Sequence, residues 1–144
     1  MFSCRSSPPA RERPSRAGSL PQLRFSCSNW RIHDRFARVL RDNARADVCL
    51  LVDCLTLWLT NLLMLESPQR LNAERDALLA CLAELPGQIV FVSNETGMGV
   101  VPLGELTRRF VDEAGWLHQA LAERCQRVVL TVAGLPLTLK GTAL

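Results

Sequence analysis

The sequence lacks the paired cysteine and histidine spacings that mark a zinc site. Its six cysteines form no CxxC pair and have no companion histidine at ligand spacing, so we expect no zinc site. Three of them lie inside apolar runs, where a free cysteine behaves as a small hydrophobic residue (Cys49, Cys54 and Cys81). Unpaired cysteines of this kind suit a reducing compartment, and we predict a cytoplasmic protein.

Long apolar runs are also scarce. The first of any length begins at Val48, so no signal peptide is predicted. That run, residues 48–65, reads VCLLVDCLTLWLTNLLML and is long enough to span a bilayer. Asp53 lies inside it, and a charge at mid-bilayer costs a few kcal/mol on insertion scales. We therefore expect a buried strand followed by a core helix, and no membrane partner.

A phosphate-binding P-loop is absent from the sequence as well. No GxxxxGK[ST] motif occurs, and the one lysine, Lys140, lies near the C-terminus. Residues 16–19, RAGS, are a poor substitute because they follow no predicted strand and open no helix. The glycine-rich cradle and lysine that hold phosphates in such loops are therefore not predicted here.

Positive charge is concentrated near the start of the chain. Residues 1–45 carry ten arginines against three acidic residues, whereas the remainder is mildly acidic. Residues 1–29 are also rich in Ser and Pro without an apolar period, which predicts a disordered or non-native basic segment. A transit peptide has a similar composition, and a basic arm can contact nucleic acid. We predict no nucleic-acid partner.

Downstream of this segment, strand-like and helix-like patterns alternate. Three apolar strands are predicted at residues 48–53, 88–93 and 127–132, with a short final strand at 137–140. Helices are predicted at residues 34–45, 54–65, 73–85 and 104–125, the third capped by Asn72 and the fourth turning Leu106, Phe110, Leu117 and Leu121 inward. The run at 48–53 is typical of a strand covered on both faces. Helix-length crossovers predict a parallel α/β sheet.

In parallel α/β sheets, ligands bind at the carboxyl ends of the strands. Asp53 ends the first strand in the manner of a Walker B acid, which binds Mg²⁺ beside nucleotide phosphates. A helix N-cap is the alternative role for this residue. Ser93-Asn94-Glu95 end the next strand, and Ala133-Gly134 the third. We expect the functional site along this edge.

The loop NETGMG at residues 94–99 is the more specific feature. It is not a dinucleotide fingerprint, because the third glycine is missing and no helix starts at once. Gly97 and Gly99 permit positive φ or a close approach of the backbone to a ligand. The alternative is a tight loop with a solvated Glu95. Of the two histidines, His118 is predicted to have a surface or half-buried structural role, and nothing local supports His33 as a nucleophile.

Four segments in order resemble the bifunctional adenosylcobinamide kinase / adenosylcobinamide-phosphate guanylyltransferase family of cobalamin biosynthesis. They are LLVDCLTLWLTNLL (50–63), IVFVSNETGMGVVP (89–102), AGWLHQALAERC (114–125) and VAGLPLTLKG (132–141). The resemblance covers roughly residues 46–141 and extends loosely to Asn29-Trp30-Arg31. It implies a P-loop NTPase-like (RecA-like) fold with a mostly parallel sheet flanked by helices, in a homo-oligomer.

The resemblance also implies two reactions and their substrates. The enzyme phosphorylates adenosylcobinamide with a nucleoside triphosphate, then takes GMP from GTP onto a histidine and passes it to adenosylcobinamide phosphate. A histidine suits this role because imidazole is both a good nucleophile and a good leaving group. ATP, GTP and Mg²⁺ are thereby implied as cofactors.

Residue by residue, the resemblance places Asp53 at an acid that contacts GTP and metal, and Asp34 at a second GTP-contacting acid. It places Asn94, Glu95, Gly97 and Gly99 in the loop beside the phosphates. The family's first strand, its P-loop and its guanylylated histidine correspond to the region before Trp30, so no catalytic residue is assigned. His33 follows that tryptophan and does not match the histidine.

These departures lead to a two-part description: residues 1–29 outside the domain, and residues 30–144 as an incomplete α/β domain without its first strand and P-loop. A misplaced start or frame change, or a diverged homologue, would each give this pattern. Since the missing strand is internal in P-loop folds, its loss predicts an exposed apolar edge. We expect the chain by itself to turn over neither ATP nor GTP appreciably; the alternative function is a catalytically inactive homologue.

Overall fold

The computed structural model describes residues 1–5, 24–26 and 35–142. Within these ranges four helices are present: α1 (Phe36–Asn43), α2 (Leu55–Leu63), α3 (Pro68–Cys81) and α4 (Glu105–Arg124). Six strands accompany them: β1 (Phe2–Arg5), β2 (Arg24–Ser26), β3 (Val48–Asp53), β4 (Gln88–Val92), β5 (Arg127–Val132) and β6 (Leu135–Lys140). The chain is therefore α/β, as predicted.

The six strands form one mixed sheet in the order β2-β3-β4-β1-β5-β6. The pairings β2–β3 and β3–β4 are parallel, whereas β1 is antiparallel to both β4 and β5, and β6 is antiparallel to β5. The predicted mostly parallel sheet is therefore found only on one side of β1. The β5–β6 pairing is antiparallel because Ala133 and Gly134, both at positive φ, make a two-residue turn between the strands.

The interior of the sheet contains a strand that the sequence did not predict. β1 lies between β4 and β5, with Phe2 paired to both Phe91 and Val128. Phe2 and Cys4 bury their side chains in the core. The prediction of an exposed apolar edge is therefore wrong at this position, because β1 pairs with the strands on either side. Both β1 and β2 lie within residues 1–29, the segment predicted to be disordered or non-native. Residues 6–23 and 27–34 lie outside the described residues.

The buried side chains of the described residues form a hydrophobic core between the sheet and the helices. Side chains from all four helices join Phe2, Ile89, Phe91 and Val128 in one cluster, and these strand residues lie on one face of the sheet. Leu50 and Val52 of β3 pack against this cluster, whereas Leu51 between them is 51% exposed. The prediction that β3 is covered on both faces is therefore wrong at Leu51, although Cys49, on the same face, is buried. The described helices form one layer, so an apolar run need not mean two-sided burial.

Two details of the predicted helices are also corrected. The third helix begins earlier than predicted: Ser67 is its N-cap and accepts a hydrogen bond from the backbone N–H of Arg70, while Pro68 occupies the first turn. Proline suits that position because its missing N–H would have no partner inside the helix. In α4, Leu117 and Leu121 are buried and Phe110 packs against the core, but Leu106 is 53% exposed.

The five cysteines that the structure describes divide into two groups, and Cys27 lies outside the described residues. Cys49, Cys54 and Cys81 are free, as predicted, and Cys49 and Cys81 are buried. Burial raises the pKa of both buried thiols, so they remain protonated hydrophobic side chains at neutral pH. Cys4 and Cys125 instead form a disulfide between β1 and the residue after α4. This pairing was not predicted, and it links β1 covalently to the rest of the domain.

The apolar run at residues 48–65 is divided between β3 and α2, as predicted. Among the described helices, none combines the length and apolar character that crossing a bilayer requires.

Gly87, in the turn before β4, is the position where the fold depends most clearly on glycine. Its φ is +80°, and a Cβ there would overlap the carbonyl oxygen of Arg45 and lie 2.6 Å from that of Val48. We predict that Gly87→Ala lowers the free energy of unfolding by about 2 kcal/mol or more, because both the backbone conformation and the space exclude a side chain. Urea titration followed by circular dichroism measures the change.

Gly115 provides the matched control. It lies inside α4, and a Cβ built on it meets nothing within 4 Å. Gly115→Ala should therefore stabilise the protein by roughly 0.5–1 kcal/mol, since alanine loses less backbone entropy in a helix. Equal stability of Gly87→Ala and the unsubstituted protein would contradict the geometry of this turn.

Candidate functional site

The parallel pairing of β3 with β4 brings two groups of polar residues to one edge of the sheet. Asp53 is the last residue of β3 and is the register partner of Val92, the last residue of β4. Residues 93–95 therefore leave the sheet directly beside Asp53. The ends of β3 and β4 therefore lie side by side, as predicted.

Asp53 does not cap the helix that follows it. The N-cap of α2 is Cys54, whose backbone is extended and whose side chain makes no cap hydrogen bond. Asp53 itself is exposed at the end of the strand. The capping alternative for Asp53 is therefore wrong, and its carboxylate lies on the surface of the candidate site.

Asn94 is held by a residue that the sequence did not single out. Its side-chain Nδ2 donates to Thr56 Oγ1 at 2.9 Å, and Thr56 is buried in the first turn of α2. The same Thr56 oxygen lies 3.1 Å from Cys54 Sγ. The bond from Asn94 uses one of the two N–H donors of its side chain and fixes the orientation of its amide. Thr56 was missed because a threonine in an apolar helix has no distinguishing spacing.

Glu95 organises the glycine loop. Its Oε1 accepts a 2.7 Å hydrogen bond from the backbone N–H of Gly97, and its Oε2 lies 3.7 Å from His118 Nδ1. Neither Gly97 nor Gly99 has a positive φ, so that explanation for the glycines is wrong. A Cβ on Gly97 would lie 3.0 Å from Glu95 Oε1, whereas one on Gly99 would meet nothing. The carboxylate of Glu95 is therefore engaged within the loop as well as partly exposed.

His118 on α4 completes this group of contacts. Its Nε2 lies 2.7 Å from Ser93 Oγ, and its side chain is only 12% exposed. Burial lowers the pKa of its imidazole, and the nearby Glu95 carboxylate opposes this shift, so the ring is neutral at pH 7. A surface or half-buried structural role was predicted, and of these positions the structure has the half-buried one; the contacts of His118 with the loop were not predicted. Its place four residues after buried Ala114, on the inward face of α4, was the available signal.

The lysine that a P-loop would use lies elsewhere. Lys140 Nζ donates to the carbonyl oxygens of Ala122 and Glu123, at 2.6 and 3.1 Å, in the last turn of α4. It pairs with Val128 near the start of β5, which is the edge of the sheet opposite Asp53. A cation at a helix C-terminus is favourable because it compensates the partial negative charge there. Lys140 is therefore outside the candidate site.

The remaining candidates are separated from this edge or lie beyond what is described. Asp34, His33, Trp30 and Arg31 lie outside the described residues. Across residues 1–5, 24–26 and 35–142, no three His, Cys, Asp or Glu side chains are close enough to hold a metal ion by themselves. The site brings together Asp53, residues 93–97, Thr56 and His118.

Comparison with known proteins gives this arrangement a context. Residues 24–139 match the family described as cobinamide kinase / cobinamide phosphate guanyltransferase. The chain is 67% identical over 120 residues to the bifunctional adenosylcobalamin biosynthesis protein CobP of Pseudomonas aeruginosa, covering 81% of this chain and 69% of that protein. It is 33% identical over 129 residues to the bifunctional protein CobU of Escherichia coli, covering 78% and 71%.

A third relative is the CobU protein of Salmonella typhimurium, 34% identical over 107 residues, which cover 65% of this chain and 59% of that protein. The matched family region runs from β2 to the next-to-last residue of β6, whereas β1 lies before it. The resemblance noted from four sequence segments is therefore confirmed over most of the chain, and the chain belongs to the cobinamide kinase / cobinamide phosphate guanyltransferase family of enzymes.

Proposed function

We propose that the chain acts as an adenosylcobinamide kinase and adenosylcobinamide-phosphate guanylyltransferase, with its nucleotide bound at the edge formed by Asp53 and residues 93–99. The observation that carries this proposal is the position of Asp53 beside the Ser93-Asn94-Glu95 strand end, on adjacent parallel strands. Such an edge is where α/β sheets bind ligands, because strand ends and helix starts converge there. Family membership supplies the substrates: adenosylcobinamide, its phosphate, ATP and GTP.

Asp53 is the residue we propose for Mg²⁺. Magnesium in nucleotide sites is usually held by one or two carboxylates together with phosphate oxygens and waters. A single exposed carboxylate at a strand end fits this pattern, since the nucleotide provides the other ligands. When bound there, Mg²⁺ would neutralise phosphate charge during transfer. Asp53 would hold the ion and thereby fix the phosphate chain along the strand ends.

The loop after β4 would supply the other side of the phosphate site. Asn94 is fixed by Thr56, so its carbonyl oxygen is available to orient a ligand hydroxyl or a bound water. Gly97 and Gly99 are both exposed. A Cβ on Gly99 would meet nothing within 4 Å, which permits a phosphate to approach the backbone there, whereas the Gly97 N–H is already bonded to Glu95. Glu95 is engaged with Gly97 and faces His118. We therefore propose that Glu95 shapes the loop, whereas Asp53 holds the metal.

We also propose that the protein is a cytoplasmic homo-oligomer; the three free cysteines among the described residues support the cytoplasmic location, and the Cys4–Cys125 disulfide does not. Apolar side chains are exposed along the outer strand β6 and at the end of β5: Val132 (58%), Leu135 (73%), Leu137 (55%) and Leu139 (61%). Contiguous apolar surface of this kind marks protein contacts, because leaving it in water is unfavourable. Light scattering on the purified protein measures the subunit number.

A second candidate function is nucleotide binding without group transfer. Two observations favour it: the sequence contains no GxxxxGK[ST] motif, and Lys140 is committed to the C-terminus of α4 at the opposite edge of the sheet. Transferring phosphoryl groups without a lysine near the β- and γ-phosphates removes a main source of charge stabilisation.

Incubation with GTP labelled at its α-phosphate separates the two functions. The transferase function predicts an acid-labile GMP adduct on a histidine and, after addition of adenosylcobinamide phosphate, label in the corrinoid product. The second function predicts GTP bound without covalent label. A chain that binds no GTP in the presence of Mg²⁺ would contradict both.

Asp53→Asn tests the proposed metal contact. We predict that Mg²⁺-dependent GTP binding, measured by calorimetry, weakens by roughly tenfold or more, because the amide is a poorer ligand for a hard cation. The free energy of unfolding should change by less than about 0.5 kcal/mol, since the side chain is exposed.

Glu123→Gln is the matched control, because it removes the same charge from an exposed residue (79% for its side chain) at the other edge of the sheet. It should leave GTP binding unchanged. Equal affinities for Asp53→Asn, Glu123→Gln and the unsubstituted protein would show that Asp53 holds no metal.

A further inference from the structure

Three side chains make contact beside the glycine loop: two from the residues after β4 and one from α4. Ser93 follows β4, Glu95 lies in the loop, and His118 comes from the middle of α4. His118 Nε2 is 2.7 Å from Ser93 Oγ, and its Nδ1 is 3.7 Å from Glu95 Oε2. Both ring nitrogens therefore face polar groups that belong to the strand end and the loop.

The environment of the ring determines how its nitrogens are used. Because the imidazole is neutral, one nitrogen carries a proton and the other accepts. A carboxylate beside Nδ1 favours the proton on that atom, which leaves Nε2 to accept the Ser93 hydroxyl. The ring of Phe2, on β1, lies 5.6 Å away between centroids and packs against the imidazole. The orientation of His118 is thus fixed by packing as well as by polar contacts.

The contacts continue from the ring into the loop backbone. Glu95 faces His118 with one oxygen and accepts the Gly97 N–H with the other, at 2.7 Å. A movement of the Glu95 carboxylate would therefore release Gly97. The rigid helix α4 is connected in this way, through two side chains, to the backbone that we assign to the phosphates.

We propose that His118 is a positioning residue: it holds Ser93 and the Glu95–Gly97 turn in place, so that the loop presents its backbone to the nucleotide. The part of this inference that concerns the nucleotide rests on the proposed function. The part that concerns the loop rests only on the contacts described above. His118 itself need not touch the substrate. Its role differs from that of a core residue, because its effect is expected on the loop and on affinity, and not on global stability.

Two substitutions separate the two sides of the ring. His118→Asn retains a polar group at the position of Nδ1, within reach of Glu95, but is too short to contact Ser93. His118→Gln places its amide near the position of Nε2, and so retains the contact with Ser93 and loses that with Glu95. His118→Phe keeps the ring volume against Phe2 and removes both contacts.

Hydrogen exchange of the loop amides is the primary measurement. For His118→Phe we expect the Gly97 amide to exchange about tenfold faster, because the acceptor of its hydrogen bond is no longer held. His118→Asn should restore protection to within about threefold of the unsubstituted protein, whereas His118→Gln should not. Gln119→Ala, at an exposed neighbouring position on α4, is the control and should leave exchange unchanged.

Calorimetry with Mg²⁺ and GTP provides the second measurement. His118→Phe should weaken binding by roughly tenfold, as is typical for residues that orient a binding group, and His118→Asn should recover most of the affinity. Unchanged Gly97 exchange in His118→Phe would overturn the proposal. If that variant does not fold, equal exchange in His118→Asn and His118→Gln would overturn it instead.

The same data distinguish this inference from the proposed function. If the unsubstituted protein binds no GTP, the proposed function fails. Faster Gly97 exchange in His118→Phe with rescue by His118→Asn would still establish that His118 positions the loop.

Discussion

The candidate site depends on one constraint, the parallel register between β3 and β4. That register sets Asp53 opposite Val92, so the loop after β4 leaves the sheet beside Asp53. A shift by one residue would reverse the faces of the strand, placing Leu50 and Val52 away from the helices and Leu51 toward them. Burial of Ile89 and Phe91 on the same face penalises such a shift. The hydrophobic core therefore fixes where the polar residues of the site can be.

The predictions that succeeded concern long segments with a clear apolar pattern. The strands at residues 48–53 and 127–132 have the predicted bounds, and α4 differs by one residue at each end. The predicted start of the third helix was wrong because two residues near it are both suitable N-caps. Both Ser67 and Asn72 are good N-caps, and the structure uses Ser67 because Pro68 is compatible with the first turn. The pair Ser67-Pro68, an N-cap followed by proline in the first turn, was the local signal for the earlier start.

The site was predictable in its strand ends but not in the side chains that support them. Asp53 and Asn94-Glu95 follow apolar runs, and the rule for α/β sheets identifies them. Thr56 and His118 have no such marker, because their roles arise from contacts 38 and 25 residues apart in the sequence. Predicting them requires the packing of α2 and α4 onto the sheet. The residues that orient a site are thus harder to find than those that face its ligand.

The place of β1 shows what an interior position in this sheet requires. A strand there must present alternate apolar side chains to the helix layer, as Phe2 and Cys4 do, and satisfy the hydrogen bonds of β4 and β5 on both sides. Alternation with a period of two reads the same in either chain direction, so it carries no polarity. A four-residue segment outside the family match can therefore occupy the middle of the domain while running against its neighbours. A central position in the sheet therefore requires alternating apolar side chains, whereas the direction of the strand is set by the segments that connect it to its neighbours.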